Sequence, residues 1–286
     1  MKIIIIGANG QLGSDVAIVL QQVGHEVVSL AHADIEITDV DSVKKTLTTL
    51  NPAMVINTAA FSNVPLCEKE KETAYRINAL GPKNLAVVTN DIGARLLHIS
   101  TDYVFDGKKQ APYVEDDEPS PLNVYGETKL AGERFIQEIA KKYIVMRVSG
   151  IYGHHPCRAK SGDNFVNMML RLAQERGKVR VVDDEVLTPT STIEIARQVE
   201  EIIDSDMSGL VHATAEGQCS WYEFAQEIFK ITNTNVILEK ADPGEFSSAV
   251  NRPKYSVLEN KRLKDAGVNI FKHWKEGLRE YLDKNK

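Results

Sequence analysis

The sequence predicts an α/β protein in which a doubly wound parallel sheet is followed by a smaller α+β lobe. Three observations predict it. The chain opens on a β-branched run, Ile3 to Ile6, stopped by Gly7, as a strand buried on both faces reads. Segments of strand and helix character then alternate to about residue 150, which implies a parallel sheet covered by helices on both faces. Beyond that point amphipathic helices separated by short apolar runs replace the alternation.

Residues 2–7 are the first strand. Residues 11–24 follow with Leu12, Val16, Val19 and Leu20 at helical spacing and Gly24 as the stop. EVVSL (26–30) is a second strand, DVDSVKKTLTTL (39–50) a helix with Val43 and Leu47 on one face, and AMVINTAA (53–60) a third strand. Residues 70–93 read mostly as helix, with the Gly81-Pro82 pair expected to disturb it. ARLLHIS (94–100) is a fourth strand. A helix entered through Pro121 and Asn123 carries Tyr125, and YIVMRVS (143–149) is a fifth strand. After residue 150, GDNFVNMMLRLAQER, STIEIARQVEEIID and WYEFAQEIF are amphipathic helices, with KVRVV and GLVHAT between them. The expected division is 1–150 for the sheet domain and 151–286 mainly for the lobe, with some later segments returning to the sheet.

With 286 residues the chain can bury a sizeable core, and 43% hydrophobic with 26% charged residues is ordinary for a globular protein. A net charge of −6 argues against a general nucleic-acid binder. Cys67, Cys157 and Cys219 are too few and scattered for a disulfide framework. No apolar run approaches the ~18 residues of a membrane span. A cytoplasmic protein with no membrane or nucleic-acid partner is expected.

The first strand-to-helix turn reads GANGQLG, with Gly7, Gly10 and Gly13 around Gln11 and Leu12. Glycines there permit a tight turn and let backbone N–H groups approach a pyrophosphate at a helix N-terminus. The spacing is G-x-x-G-x-x-G, and its place after a buried first strand marks a Rossmann-like dinucleotide site. NADH and NADPH both stay open. The second strand ends SLAHAD, where His32 and Asp34 supply neither a plain ribose-binding acid nor an arginine for a 2′-phosphate.

NVYGETKLAGE places Tyr125 and Lys129 one helical turn apart, so both side chains can converge on one point. Alone, the pair also reads as a solvated helix face. The segments GANGQLG, INTAAFSNV, ISTDYVFDG, SPLNVYGETKLAGE, GDNFVNMMLRLAQER and NRPKYSVLEN, in that order, resemble the extended short-chain dehydrogenase/reductase superfamily. Within it they resemble the dTDP-4-dehydrorhamnose reductase family, over nearly the whole chain.

The resemblance implies reduction, by NADPH or NADH, of the C4 ketone of a nucleotide-linked 4-keto-6-deoxy sugar, most closely dTDP-4-dehydrorhamnose to dTDP-L-rhamnose. It casts Tyr125 as the proton donor, Lys129 as the cation that lowers the phenol's pKa and bonds the nicotinamide ribose, and Thr101 as the hydroxyl that polarises the ketone. Ser100, Asp102 and Tyr103 are expected beside the substrate, with Gly150, Asn164 and Arg252. Arg252 suits a diphosphate through its planar fork. Asp39 and Val40 are expected beside the adenine, and Ala59, Ala60, Ser62 and Asn78 along the cofactor.

Four departures from the family fall in segments expected to face the sugar. Pro65 and Cys67 replace an aspartate and an alanine, Gly150 replaces a tryptophan, and Glu185 and Leu187 replace a glutamine and a glycine. The fourth is a longer loop over 154–162, which adds His154, His155, Arg158 and Lys160. This loop is expected to fold over the space that the missing indole leaves at Gly150. The adjacent histidines read as a loop pair. Some family members hold magnesium at a dimer contact between acidic residues. Asp15 and Glu194 fall near the matching places, but the set is incomplete and both also read as solvated helix carboxylates, so no metal site is assigned and a homodimer stays open. Two other functions share the motifs. One is a regulatory partner resembling the methionine adenosyltransferase β subunit; the other is a nucleotide-sugar epimerase.

Overall fold

The computed structural model describes residues 1–156, 162–242, 245 and 250–283. β1 (Lys2–Ile6), α1 (Gln11–Gln22), β2 (Glu26–Leu30), α2 (Val40–Leu50) and β3 (Met54–Asn57) alternate strictly. Three helices, α3 (Val64–Lys69), α4 (Lys71–Tyr75) and α5 (Gly81–Asp91), then lead to β4 (Arg95–Thr101). α6 (Val124–Ile139) and β5 (Tyr143–Val148) follow. The second half runs β6 (Ile151–Tyr152), α7 (Phe165–Arg176), β7 (Lys178–Val181), β8 (Val186–Leu187), β9 (Thr190–Ser191), α8 (Thr192–Ile203) and β10 (Gly209–His212). It closes with β11 (Cys219–Ser220), α9 (Trp221–Thr232), β12 (Ile237–Lys240), α10 (Lys261–Asp265) and α11 (Trp274–Asp283).

Six strands form one parallel sheet in the order β10-β5-β4-β3-β1-β2. The four isoleucines of β1 are all buried because helices cover both faces. Side chains alternate along a strand, so Ile3 and Ile5 pack with Val16, Leu20, Ile195 and Val199 of α1 and α8. Ile4 and Ile6 pack with Val43, Leu47, Leu85 and Ile136 of α2, α5 and α6. A separate core joins Tyr152, Val166, Phe224, Trp274 and Leu278 in the lobe.

One expectation is made specific and one is corrected. First, the later segments that return to the sheet are GLVHAT, which becomes β10 at the sheet edge, and the 191–204 helix, which packs on α1. The sheet needs a cover over α1's side and a partner for β5, and short apolar runs do not announce which partner they choose. Second, the disturbance expected at Gly81-Pro82 lies just before it. A π-helical turn spans Arg76–Leu80 and runs in helical backbone into α5, whose first turn holds Pro82. Among the described residues, no helix is long and apolar enough to cross a membrane.

Candidate active site

The strand order reverses between β1 and β3, where a doubly wound sheet opens a crevice at its C-terminal edge. A cavity of about 890 Å³ lies there. One end is lined by Gly7, Gly10, Gln11, Leu12, Gly13, Ala59, Ala60 and Ser62. The other is lined by Thr101, Tyr103, Tyr125, Lys129, Gly150, Phe165, Glu185 and Trp221.

The glycine turn is built against the segment after β3. Gly7 has φ +78°, and a Cβ there would lie 2.8 Å from the Ala59 nitrogen. A Cβ on Gly13 would lie 2.5 Å from the Gly7 carbonyl and 2.7 Å from Thr58 Oγ1. Gly10 differs: its Cβ would meet only the Gly7 carbonyl, at 3.2 Å. Gly10 is also the N-cap of α1, no side chain caps that terminus, and its first turn holds no acidic residue. The orphan N–H groups and positive dipole end are thereby left for an anion of the cavity. The donor set fits a dinucleotide pyrophosphate. Gln11 turns the other way and donates to the carbonyls of Gly153 and His155.

α6 places Tyr125 and Lys129 on the cavity wall. Its N-cap is Asn123, whose side chain accepts from Gly126 N at 2.9 Å. Gly126 is required there because a Cβ would strike the Tyr103 carbonyl. Burial pushes the Tyr125 phenol up; a hydrogen bond with Thr101 opposes this, and Asp102 adds to it. The sequence reading has Lys129 lowering the phenol. Instead the Lys129 amine lies 3.0 Å from His98 Nε2 and donates to the Ile99 carbonyl at 2.6 Å. Burial pulls that amine down to about 8, opposed by Glu133. The phenol therefore holds its proton at neutral pH.

The STD segment ends β4. Thr101 Oγ1 accepts from Tyr103 N and donates to Asp102. Asp102 lines the cavity, yet its carboxylate is engaged within the protein, accepting from Ser149 at 2.9 Å and Ser256 at 2.6 Å. It clamps the ends of β4 and β5 to the C-terminal segment, and burial raises its pKa despite those hydroxyls. Ser100 likewise turns inward and donates to Glu133, which forms a buried pair with Arg147 at 2.6 Å. Tyr103 packs edge-on against Tyr125, with centroids 5.8 Å apart.

Five expected residues are not brought to the cavity wall. Asp39 caps α2 and Val40 is exposed. Asn78 braces the site from behind, bonding Phe61 through both backbone groups and reaching Thr128 Oγ1. Asn164 caps α7 and ties it to Gly153 and Tyr281. Arg252 lies near Tyr103 and Glu185; burial raises both of their pKa values, and the guanidinium opposes that rise.

Gly150 is on the wall, but it does not mark space for an indole. Its φ is +53°, and a Cβ would lie 2.7 Å from Leu187 Cδ1 and 3.2 Å from Pro189 Cα. Glycine is there because the backbone is left-handed and the side-chain direction is already filled. The expected lid over 154–162 falls partly on residues 157–161, outside the described residues. Its described start leads elsewhere: His154 stacks on Tyr281 at 4.3 Å, and His155 Nε2 lies 3.5 Å from Asp15. Asp15 also accepts from Thr192 at 2.5 Å, while Glu194 faces Gly277 of α11. Neither is a solvated helix carboxylate: both are buried, and they serve different contacts. Among the described residues, no group of three or more His, Cys, Asp and Glu side chains is placed for a metal.

The sequence reading missed Phe165 and Trp221, whose rings lie 4.5 Å apart on the outer wall. Both begin amphipathic helices, and helical spacing alone assigns such aromatics to a core. It also missed His98 and Asn57, which meet only across β3 and β4.

Fold and cavity together define a dinucleotide-site α/β protein whose outer wall is supplied by a second lobe. The chain belongs to the family described as the RmlD substrate binding domain, which matches residues 1–286. It is 40% identical to the spore coat polysaccharide biosynthesis protein SpsK of Bacillus subtilis, over 98% of this chain and 96% of that one. A solved dTDP-4-dehydrorhamnose reductase of Clostridium acetobutylicum is 43% identical, with TM-score 0.95 over 100% of this chain and 99% of that one. One from Bacillus anthracis, solved in complex with NADP, is 36% identical, with TM-score 0.94 over 99% of both chains.

Proposed function

We propose that this chain is an NADPH-dependent oxidoreductase that reduces the C4 ketone of dTDP-4-dehydrorhamnose, giving dTDP-L-rhamnose. The observation that carries this reading is that Thr101, Tyr125 and Lys129 stand on the wall of the cavity that the glycine turn opens, in a chain of this family. Bound along the glycine turn, NADPH supplies a hydride. Tyr125 directs its hydroxyl at the ketone oxygen, and Thr101 turns its proton there from Asp102, which still accepts from Ser149 and Ser256. Charge develops on that oxygen, and Tyr125 donates the proton that neutralises it. A phenol kept protonated by burial suits this step, because the new alkoxide is far more basic than the phenol. An ammonium at Lys129 stabilises the phenolate left behind. Phe165 and Trp221 hold the nucleotide end, and Glu185 sets the polarity between base and sugar.

The reading is tested by following absorbance at the reduced-nicotinamide band with dTDP-, UDP- and GDP-linked 4-keto-6-deoxy sugars. NADPH oxidation is expected with dTDP-4-dehydrorhamnose at a kcat/KM well above the UDP and GDP compounds. Equal rates with all three bases would remove the assignment of Phe165 and Trp221. No oxidation with any would remove the activity.

A further inference from the structure

Asn57, His98 and Lys129 form a buried line behind the catalytic wall. They are 0%, 0% and 1% exposed. Asn57 and His98 are register partners on β3 and β4. Their hydrogen bonds have a direction that can be worked out from one end.

The Ala59 backbone N–H is a fixed donor, and it reaches Asn57 Oδ1 at 3.1 Å. That sets the amide: Asn57 presents its NH2 to His98 Nδ1, at 3.0 Å. His98 Nδ1 must then accept, so a neutral imidazole carries its proton on Nε2. Nε2–H points at Lys129 Nζ, 3.0 Å away. An ammonium has three donors and no acceptor, so it would face this N–H donor to donor. An uncharged amine accepts there and donates to the Ile99 carbonyl. Charging His98 instead is opposed by burial, the larger cause of a pKa well below the usual value.

We propose that this hydrogen-bond line holds Lys129 as an uncharged amine and that dinucleotide binding is coupled to the uptake of a proton by Lys129. His98 is then a positioning residue, parking the amine on β4 until charge is needed beside Tyr125. The inference rests on the reading that a dinucleotide fills the cavity. The surrounding charges agree with it. Glu133, one turn along α6, is paired with Arg147 of β5 and bonded by Ser100. Asp102, just after β4, is satisfied by Ser149, Ser256 and Thr101. Tyr125 holds its proton, and the nearby Cys67 thiol is raised by burial to about 11. Burial lowers the Lys129 amine only to about 8, where an ammonium still prevails at neutral pH, so it is the donor-to-donor clash with His98 Nε2–H that holds the amine uncharged. No unpaired anion among these groups demands an ammonium. A pyrophosphate in the same cavity adds that anion. The proton passes from solvent to Nζ. The ammonium can no longer accept from Nε2–H, so it leaves His98 and turns into the cavity.

Two measurements on the full chain test this. Nitrogen-15 spectra of the histidines in the chain by itself should show His98 as the Nε2–H tautomer. Calorimetry with NADH, which has no 2′-phosphate to titrate, should give heats that depend on buffer ionisation enthalpy, with close to one proton taken up per chain. Asn57→Asp should abolish the uptake, because its carboxylate accepts from Nδ1–H and lets Nε2 accept from an ammonium already present. An Nδ1–H tautomer in the wild-type chain, or buffer-independent heats of NADH binding, would overturn the proposal. If neither NADH nor NADPH binds, the cofactor reading fails, while the tautomer still decides the state of Lys129.

Discussion

The glycine-turn end of the cavity is made of backbone from two neighbouring connections, those after β1 and β3. The opposite end is made of the side chains of Tyr103, Phe165, Glu185 and Trp221, which lie far apart in the chain. The first end recognises something every dinucleotide has, a pyrophosphate, through N–H groups that no single side chain supplies. The second recognises what differs between substrates. The two ends should therefore fail differently. A change at the first should alter folding or cofactor affinity; a change at the second should alter substrate KM and turnover.

The largest effect is expected where the two ends meet. Tyr125→Phe should lower kcat by ~10²–10⁴-fold, the usual worth of a general acid. NADPH affinity should stay within about twofold, because the hydroxyl acts only as the alkoxide forms. Steady-state kinetics with a separate NADPH titration read both quantities, and wild-type turnover would remove Tyr125 from the reaction.

A second effect probes the seam between the halves, where Glu194 of α8 faces α11. Burial and the neighbouring Glu280 raise its carboxyl to about 7, against Lys272 and Arg197. The folded-state pKa is above the unfolded value, so its favourable contribution is present below about 4.5. That contribution is lost as pH rises through about 7. Glu194→Gln should gain up to roughly 3 kcal/mol over wild type at pH 8 and little at pH 5. Urea midpoints at the two pH values check it; equal gains at both would mean that Glu194 does not titrate in this range.

Within the backbone-built end, two glycines should separate. Gly13→Ala forces a Cβ against Gly7 and Thr58 and should cost ~1–3 kcal/mol as overpacking does, seen as a lower Tm. At Gly10 a Cβ meets one atom, the Gly7 carbonyl, so Gly10→Val should fold, but its methyl groups stand where a pyrophosphate approaches. NADPH affinity should fall roughly tenfold or more, about 1.4 kcal/mol. If both variants fold and bind alike, the turn is only a turn.

The smallest effect belongs to the side-chain-built end. Trp221→Ala should raise KM for the sugar nucleotide by roughly tenfold or less, the lower part of the ~1–3 kcal/mol that one base–aromatic contact contributes, and leave NADPH affinity unchanged. A change in NADPH affinity instead would erase the distinction between the two ends.

The same contrast explains what was legible in the sequence. Gly7, Gly10 and Gly13, and Tyr125 with Lys129, are local patterns. Their spacing fixes a turn and a helix face whatever surrounds them. Gly150, Asn164 and Arg252 carry meaning only through distant contacts. Gly150 looks like a deleted side chain until its left-handed backbone and the Leu187 and Pro189 contacts are seen. Asn164 looks like a ligand but is a helix cap. His98 reads as one more residue of a buried strand, and its bonds to Asn57 and Lys129 cross from one element to another. The 191–204 helix and β10 were legible as elements but not as parts of the sheet domain, because amphipathicity says that a face is buried and not against what.

The most direct test of the central claim is a stoichiometry. dTDP-4-dehydrorhamnose is incubated with excess NADPH and the chain, and both NADPH consumed and nucleotide sugar formed are counted. One NADPH oxidised for each dTDP-L-rhamnose formed is the predicted result. Conversion of the sugar with no net loss of NADPH would contradict it, because the same wall of Thr101, Tyr125 and Lys129 would then be isomerising the substrate rather than reducing it.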